Sequence, residues 1–492
     1  MTLLSSHPAA NGLAALEASV QHDLARLNYP PANWVPITPG PDGAPMLDVL
    51  VIGAGMCGQT AAFALLREGV ANLRIIDRNE PGLEGPWGTF ARMETLRSPK
   101  HVPGPDLGIP SLTFRAWFEA QHGAEAWEAL HKIPRLDWRD YLLWVRRMAA
   151  IPVENHTELV ALSLHSDWVE ATVSHNGEQE VIRTRKVVLA LGREGSGAPR
   201  WPVFPSFDPN STAARHRVFH SSDDIDFFPL RGKRVAVLGA GSSAFDNAAT
   251  ALESDASEVV MYARRPHLPQ VNKSKWTSFP GFMRNFIALG DEQRWRFYTY
   301  IFDEQVPPPW ESVQRCDRHA GFSIRFGQPW QDVVPDADGV TVHTATGAER
   351  FDAAIIATGF EVDLLERPEI SAFQDAILTW GDRVDADEAA RHPEAARFPY
   401  LGNGFELQER SPGAQPGLRH VHLFNWGSTM SHGALAGDIP GLAIGATRVA
   451  EGVSRALFVA DADRLYQRML DHAEPELQPT RYYVPPEERQ KR

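Results

Sequence analysis

The sequence predicts an α/β protein made of two parallel-sheet units, the second inserted into a split first unit. Three observations predict it. Residues 48–52 form a short apolar run that leads into Gly53-Ala-Gly55-Met-Cys-Gly58 and a helix-forming stretch. The same plan returns 186 residues later, where residues 232–238 lead into Gly239-Ala-Gly241-Ser-Ser-Ala244 and a second helix. Around that second copy, residues 185–192 and 351–359 each read as a buried strand ending in glycine, as expected of strands by which a chain leaves and re-enters the first unit. The expected organisation is an N-terminal helix and linker at 1–47, a split first unit at 48–227 and 346–492, and a second unit at 228–345. A helical insertion is expected at about 273–330.

Composition narrows the class. Of 492 residues, 43% are hydrophobic and 22% charged, and no apolar run is long enough to cross a bilayer. The formal net charge of −14 sets the overall field against phosphate backbones, so neither nucleic acid nor membrane is expected as a partner. Cys57 and Cys316 are the two cysteines, too few for a disulfide framework, a CxxC redox pair or a cysteine zinc site. Residues 1–10 lack the basic start and apolar core of an export signal, which makes a cytoplasmic location the expectation. Nothing in the composition opposes a homo-oligomer.

In chain order, Leu13, Leu16, Val20, Leu24 and Leu27 recur at spacings of three and four, as one face of a helix packed on the main body. A proline- and glycine-rich linker follows. In the first turn, Gly53 permits a tight bend, Gly55 lets backbone approach a pyrophosphate, and Gly58 lets the helix pack closely on its strand. The next apolar strand ends at Asp77, 24 residues after Gly53, where a carboxylate can accept hydrogen bonds from a ribose diol. Cys57 reads as a small structural residue at the helix start rather than a reactive thiol. Beyond it, residues 91–106 concentrate Arg92, Arg97, Lys100 and His101 in a proline-rich stretch, a set of cations able to hold an anionic substrate. A solvated basic loop is the plainer reading of the same residues.

In the second turn, Gly239, Gly241, Ser242 and Ser243 repeat the phosphate-binding plan. The strand after it ends in Arg264-Arg265 instead of an acid, which suits the 2′-phosphate of NADPH and not the free ribose of NADH. Both units are thus Rossmann-like dinucleotide-binding domains. Between 273 and 330 aromatic residues are dense, including Trp276, Phe279, Phe282, Phe286, Trp295, Tyr298, Tyr300 and Trp310. Core packing of a helical subdomain accounts for most of them, and a pocket for a planar compound is the sharper alternative. Asn272, Lys273 and Lys275 stand where they can line the NADPH channel. Residues 420–424 read as a strand, and 435–457 as a helix interrupted by Pro440. The His216/His220 and His420/His422 pairs have metal-like spacing but no third ligand, so no metal is expected.

With these residues in place, the chain resembles class B flavin monooxygenases over about residues 48–457. The resemblance rests on the two glycine turns, on Asp246 closing the second motif, and on Ala357-Thr-Gly359-Phe360. Phe219-His220-Ser221 resembles the core of that family's linker signature, although Ala214, His216 and Asp224 depart from it and weaken a Baeyer–Villiger assignment. The resemblance implies FAD on the first turn, with Trp87 and Gly359 beside the cofactors. It implies that Gly433 to Asp438 bring a helix N-terminus to the flavin. NADPH is implied on the second turn, and Arg97, Lys100, His101 and His220 become the candidate catalytic residues.

The implied activity inserts one oxygen atom from O₂ into a small organic substrate through a C4a-(hydro)peroxyflavin. Residues 95–100 and 104–110 are similar to a bacterial group that includes FAD-dependent urate hydroxylases, and urate is a planar anion. N- or S-oxygenation, an NADPH-dependent flavoprotein reductase and a nucleotide-binding sensor are the alternatives. A disulfide reductase is excluded by the missing cysteine pair.

Overall fold

Strand Leu47–Ile52 lies inside the first sheet, parallel to Leu73–Ile76 on one side and to the second half of Glu178–Leu189 on the other. The computed structural model describes residues 8–477 together with Arg481 and Tyr482. Val153–Glu154 adds outside Leu73–Ile76, and Val421–Leu423 runs parallel to the end of Glu178–Leu189. Val49, Leu50, Val51 and Ile52 are all buried, which is why this strand reads as an unbroken apolar run rather than an alternating one. Helices Met56–Arg67 and Leu442–Ala460 pack on each other against this core. The first half of Glu178–Leu189 belongs instead to an antiparallel meander with Thr157–Leu164 and Val169–His175.

The second sheet is all parallel, in the order Phe322–Phe326, Glu258–Ala263, Arg234–Leu238, Ala353–Ile356, Val218–His220. Its two faces follow the period of a strand. Val235, Val237, Val259 and Met261 pack toward helix Ser242–Glu253, whereas Ala236, Leu238, Val260 and Tyr262 join the core under an antiparallel meander. That meander is Trp330–Pro335, Val340–Thr344 and Gly347–Phe351.

This topology corrects the expected re-entry strand. Ala353–Ile356 pairs with Arg234–Leu238 in the second sheet, and Val421–Leu423 is the strand that returns to the first. Stretches 218–227 and 346–356, expected in the first unit, therefore carry strands or connections of the second sheet. Five consecutive apolar residues before Thr-Gly, 353–357, read alike in either sheet, because partner choice is a long-range property that the local run does not encode. The chain crosses between the units at an antiparallel pair, Gly197–Pro199 with Phe360–Val362.

Helix Pro8–Arg26 packs on Phe114–His122 and buries Val20 and Leu24, as its spacing predicts, while Leu27 is exposed. The insertion supplies helices Lys273–Trp276, Pro280–Asn285, Asp291–Glu304 and Trp310–Asp317. Phe286, Trp295 and Tyr298 join Trp380, Phe398 and Met430 in a separate core, so the plainer reading of these rings holds for the buried ones. Trp276, Phe279, Tyr300 and Trp310 stay exposed. Pro440 lies in the turn Ile439–Gly441 that leads into Leu442–Ala460, so it precedes the long helix rather than interrupting it. No helix among the described residues is long and apolar enough to cross a membrane.

Candidate active site at the junction of the two units

Gly53 adopts φ +93°, and a Cβ there would stand 2.7 Å from the carbonyl oxygen of Ala190. Only glycine fits both constraints. At Gly58 a Cβ would fall 1.7 Å from the Gly53 carbonyl oxygen, which is the close helix-to-strand approach expected of this motif. Asp77, at the end of the next strand, is buried and accepts hydrogen bonds from the backbone N–H groups of Ala54 at 2.8 Å and Asn79 at 2.9 Å. Burial raises its pKa, and those two hydrogen bonds partly oppose the shift. The carboxylate thus stands at the first turn with remaining lone pairs for a sugar hydroxyl.

Gly85, two residues before Trp87, packs on Gly55, with its Cα 3.6 Å from where a Gly55 Cβ would lie. Trp87 is buried edge-on to Trp138, and its indole N–H has no acceptor among the described residues. The side-chain amide nitrogen of Gln59, in the helix that leaves this turn, is likewise buried without a partner. Orphaned buried donors close to a glycine turn fit a bound cofactor. The Cys57 thiol is buried, and desolvation pushes its pKa up to about 12, which supports a structural role.

The second turn is more open. Gly239 has φ +118°, and a Cβ there would lie 2.5 Å from the Ala357 carbonyl oxygen. Gly241 has nothing within 4 Å of its Cβ position, and Gly241 and Ser243 are exposed at the start of helix Ser242–Glu253. Arg264 and Arg265 follow strand Glu258–Ala263. Neither guanidinium makes an ion pair or hydrogen bond with the described residues. Desolvation first, then the neighbouring Arg264, lowers the Arg265 pKa. Two adjacent cations without a counter-charge fit a 2′-phosphate.

Charged groups link the two turns. Arg193, just past Glu178–Leu189, lies 3.9 Å from the Trp426 ring centroid and 3.8 Å from the Asp438 carboxylate. The two side chains keep 46% and 38% of their surface, as expected of groups lining a cleft. Desolvation lowers the Arg193 pKa and raises that of Asp438, and each opposes the other's shift. The charge of Arg97 acts on both, while its guanidinium donates to Asp246 at 3.3 Å. Asp438 also acts on Cys57 at the first helix start. A continuous set of charges therefore runs from the first helix through Asp438, Arg193 and Arg97 to the second helix.

The expected catalytic set does not come together. Lys100 donates to the carbonyl oxygens of Trp127 at 2.5 Å and Glu128 at 3.2 Å, where it caps helix Ala124–Ala129. His101 is exposed edge-on to Trp127. The side chains of both therefore lie against this helix in the structure. His220 lies elsewhere, at the crossing between the units. It is fully buried, with Nε2 donating to the Gly359 carbonyl oxygen at 3.1 Å and Nδ1 within 2.6 Å of the Ser222 hydroxyl. Burial lowers its pKa to about 4, so it is a neutral positioning residue that orders the crossing between units. Arg193 and Trp426 were not among the expected site residues. The position of Arg193 directly after a strand ending in glycine is the signal that marks it, since ligands in such sheets bind outside the carboxyl ends of strands. Among the described residues no three His, Cys, Asp or Glu side chains are grouped to hold a metal.

Two glycine turns, with a buried acid after the first and two arginines without a partner among the described residues after the second, fit a protein that binds two nucleotide cofactors. A family model for FAD-NAD(P)-binding proteins matches residues 50–194, and one for L-lysine 6-monooxygenase/L-ornithine 5-monooxygenase matches residues 126–303. The chain is 40% identical over 464 residues to an FAD-dependent urate hydroxylase from Xanthomonas campestris, a match covering 94% of this chain and 97% of the relative. The fold is similar to that of ornithine hydroxylase PvdA from Pseudomonas aeruginosa, with a TM-score of 0.65 and 17% identity over 84% of this chain and all of that one. It is also similar to L-lysine 6-monooxygenase from Pseudomonas syringae, with a TM-score of 0.63 and 19% identity over 83% of this chain and 99% of that one. The chain belongs to the class B flavin monooxygenase family that includes the X. campestris enzyme. It binds FAD and a nicotinamide dinucleotide, NAD(P)H.

Proposed function

We propose that this monooxygenase hydroxylates urate or a closely related planar anion in the cleft between the two turns. The observation that carries this reading is the extent of the likeness to the X. campestris urate hydroxylase, which runs through both units and the insertion. The cleft agrees with it, because Arg193 and Arg97 set positive charge where an anionic heterocycle would meet the flavin.

When bound, FAD would supply the redox chemistry that uses NADPH as reductant and O₂ as oxidant, one oxygen atom going to substrate and the other to water. The Gly53–Gly58 turn and the start of helix Met56–Arg67 would hold the FAD pyrophosphate, and Asp77 would hold its ribose. Gly239, Gly241, Ser242 and Ser243 would hold the NADPH pyrophosphate, and Arg264 and Arg265 would meet its 2′-phosphate. Arg193 is kept in orientation by the Trp426 face and offers its guanidinium to the anion. Asp438 makes no side-chain hydrogen bond with the described residues and presents carboxylate lone pairs to an N–H or hydroxyl group in the cleft. Arg97, tied to Asp246, sets the spacing of the two cofactor sites rather than touching substrate.

The test is NADPH consumption by purified FAD-loaded protein with and without urate, with the product identified as 5-hydroxyisourate. Urate-stimulated consumption with that product is expected. Its absence overturns the reading, and stimulation by ornithine or lysine with N-hydroxylated product would replace it with amine hydroxylation.

A further inference from the structure

Strands Glu178–Leu189 and Val421–Leu423 run side by side, and their last rung pairs Leu189 with Leu423. The Phe424 N–H still donates to the Leu189 carbonyl oxygen at 2.9 Å; from there one chain leads to Arg193 and the other to Trp426. Asn425 joins the two chains through its side chain. Its amide nitrogen donates to the Gly195 carbonyl oxygen at 3.0 Å, and its amide oxygen accepts from the Gly427 N–H at 2.9 Å. A carbonyl on one side and an N–H on the other fix which end of the amide faces which chain. The residue is fully buried, so both bonds are made away from water, where an unpaired amide group is costly.

Each of these bonds ends on a turn that carries one half of the Arg193–Trp426 pair. Gly195 lies in the turn Glu194–Ser196, where the hydroxyl and N–H of Ser196 both donate to the Arg193 carbonyl oxygen, at 2.6 and 3.2 Å. Gly427 lies in the turn Trp426–Ser428, which Asn425 also holds by its main chain: its carbonyl oxygen accepts from the Ser428 hydroxyl at 2.8 Å. The two turns are in contact. A Cβ at Gly427 would lie 3.1 Å from the Asn425 amide oxygen and 3.2 Å from the Ser196 Cβ. The Trp426 ring in turn abuts Gly437, beside Asp438, with its Cε3 3.7 Å from where a Gly437 Cβ would lie. The ring on which Arg193 rests is therefore seated from both chains.

We infer that Asn425 is a positioning residue for the Arg193 guanidinium: it locks the two turns in register, so that the cation lies on the Trp426 face in one orientation toward the cleft. A long cation that must first be ordered gives up part of what it gains from an anion, and a cation already held does not. Asparagine suits the task because it donates to one chain and accepts from the other. Leucine would keep the shape and lose both bonds, and alanine would leave the Gly195 carbonyl and Gly427 N–H without this partner. The inference rests on the urate reading above, in which Arg193 meets the anion, and adds the residue through which the fold places that cation.

The test uses full-length, FAD-loaded protein carrying Asn425→Ala, Arg193→Ala or both, with kcat and KM measured for urate and KM for NADPH. The inference expects Asn425→Ala to raise KM for urate about tenfold, with kcat within about threefold and KM for NADPH unchanged. Once Arg193→Ala is present, the same substitution should raise KM for urate by less than about twofold, because the group it positions is gone. A merely structural role predicts equal losses in both backgrounds, or a rise in both KM values. Either result, like an unchanged KM for urate in Asn425→Ala, overturns the inference while leaving urate as substrate. If Asn425→Ala does not fold, Gly427→Ala, whose Cβ would crowd the same amide oxygen at 3.1 Å, takes its place in the cycle and is read by the same outcomes. An unaltered enzyme that does not turn urate over overturns the functional reading itself, and the positioning role falls with it.

Discussion

The guanidinium of Arg97, in the loop after the first cofactor turn, donates to the buried carboxylate of Asp246 in the helix of the second turn at 3.3 Å. Asp246 also accepts from the Ser312 hydroxyl at 2.6 Å and lies 3.8 Å from Arg315. The same loop crosses again at Arg92, which donates to the Asp223 carbonyl oxygen, and Arg315 donates to the Arg92 carbonyl oxygen. The basic loop is therefore a clamp between units as much as a lining of the cleft. Because Arg97 is 41% exposed, its pair is screened, and Arg97→Ala should cost only about 1 kcal/mol in stability. Its larger effect should be a several-fold rise in KM for NADPH. A double-mutant cycle with Asp246→Asn checks this, and additive effects on NADPH binding would show that the contact does not couple the units.

The two arginines after Glu258–Ala263 give a cofactor prediction. Arg264→Ala should raise KM for NADPH at least tenfold and leave KM for NADH nearly unchanged, because only NADPH carries the 2′-phosphate. Steady-state kinetics with both coenzymes decide it. Equal losses would place the arginines away from that phosphate.

Gly58→Ala probes the first turn. Its new Cβ would meet the Gly53 carbonyl oxygen at 1.7 Å, so helix Met56–Arg67 would have to move off its strand. The expected result is protein that purifies without flavin, with a stability loss of about 1–3 kcal/mol typical of overpacking. Full flavin occupancy with unchanged melting would contradict the assigned close packing.

Lys100→Met and His101→Ala test the roles of these two side chains. Each should leave kcat for the preferred substrate within about twofold, since both side chains lie against helix Ala124–Ala129. Lys100→Met should lower stability by about 1 kcal/mol through the lost cap on helix Ala124–Ala129. A hundredfold loss of kcat in either variant would restore a catalytic role.

Acid stability follows from buried neutral histidines. Burial lowers His220 and His420 from 6.5 to about 4, and His422 from 6.5 to about 3. Below pH 6.5 the unfolded chain takes up protons that these folded imidazoles refuse. Their contribution is therefore complete above pH 6.5 and is lost as pH falls toward 4 and then 3. Each adds a slope of up to about 1.4 kcal/mol per pH unit in that window. Melting temperature measured from pH 7.5 to 4.5 should fall steeply below 6.5, and His220→Asn should flatten the fall relative to its own value at pH 7.5. A flat profile in the native protein would contradict burial of these rings.

Both cofactor turns were legible in the sequence because their requirements are local. Gly53 and Gly239 need positive φ, Gly58 needs the absence of a Cβ, and a strand and a helix must flank each turn within a few residues. The sheet to which Ala353–Ile356 belongs was not legible, since its apolar run suits either parallel sheet. The basic loop was legible as a cluster but not as a destination. Arg97 turns to Asp246, 149 residues away, while Lys100 turns to the end of a neighbouring helix, and spacing along the chain distinguishes neither. Arg193 escaped notice for the complementary reason: it is a single cation after a strand, and its meaning comes from Trp426 and Asp438, more than 200 residues on.

Oxygen insertion into a planar heterocycle is tested most directly by turnover of urate with NADPH under ¹⁸O₂, followed by mass spectrometry of the product. The account predicts hydroxylated urate carrying one ¹⁸O atom per molecule, formed in proportion to the NADPH consumed. NADPH consumption that yields hydrogen peroxide and no labelled product would contradict it.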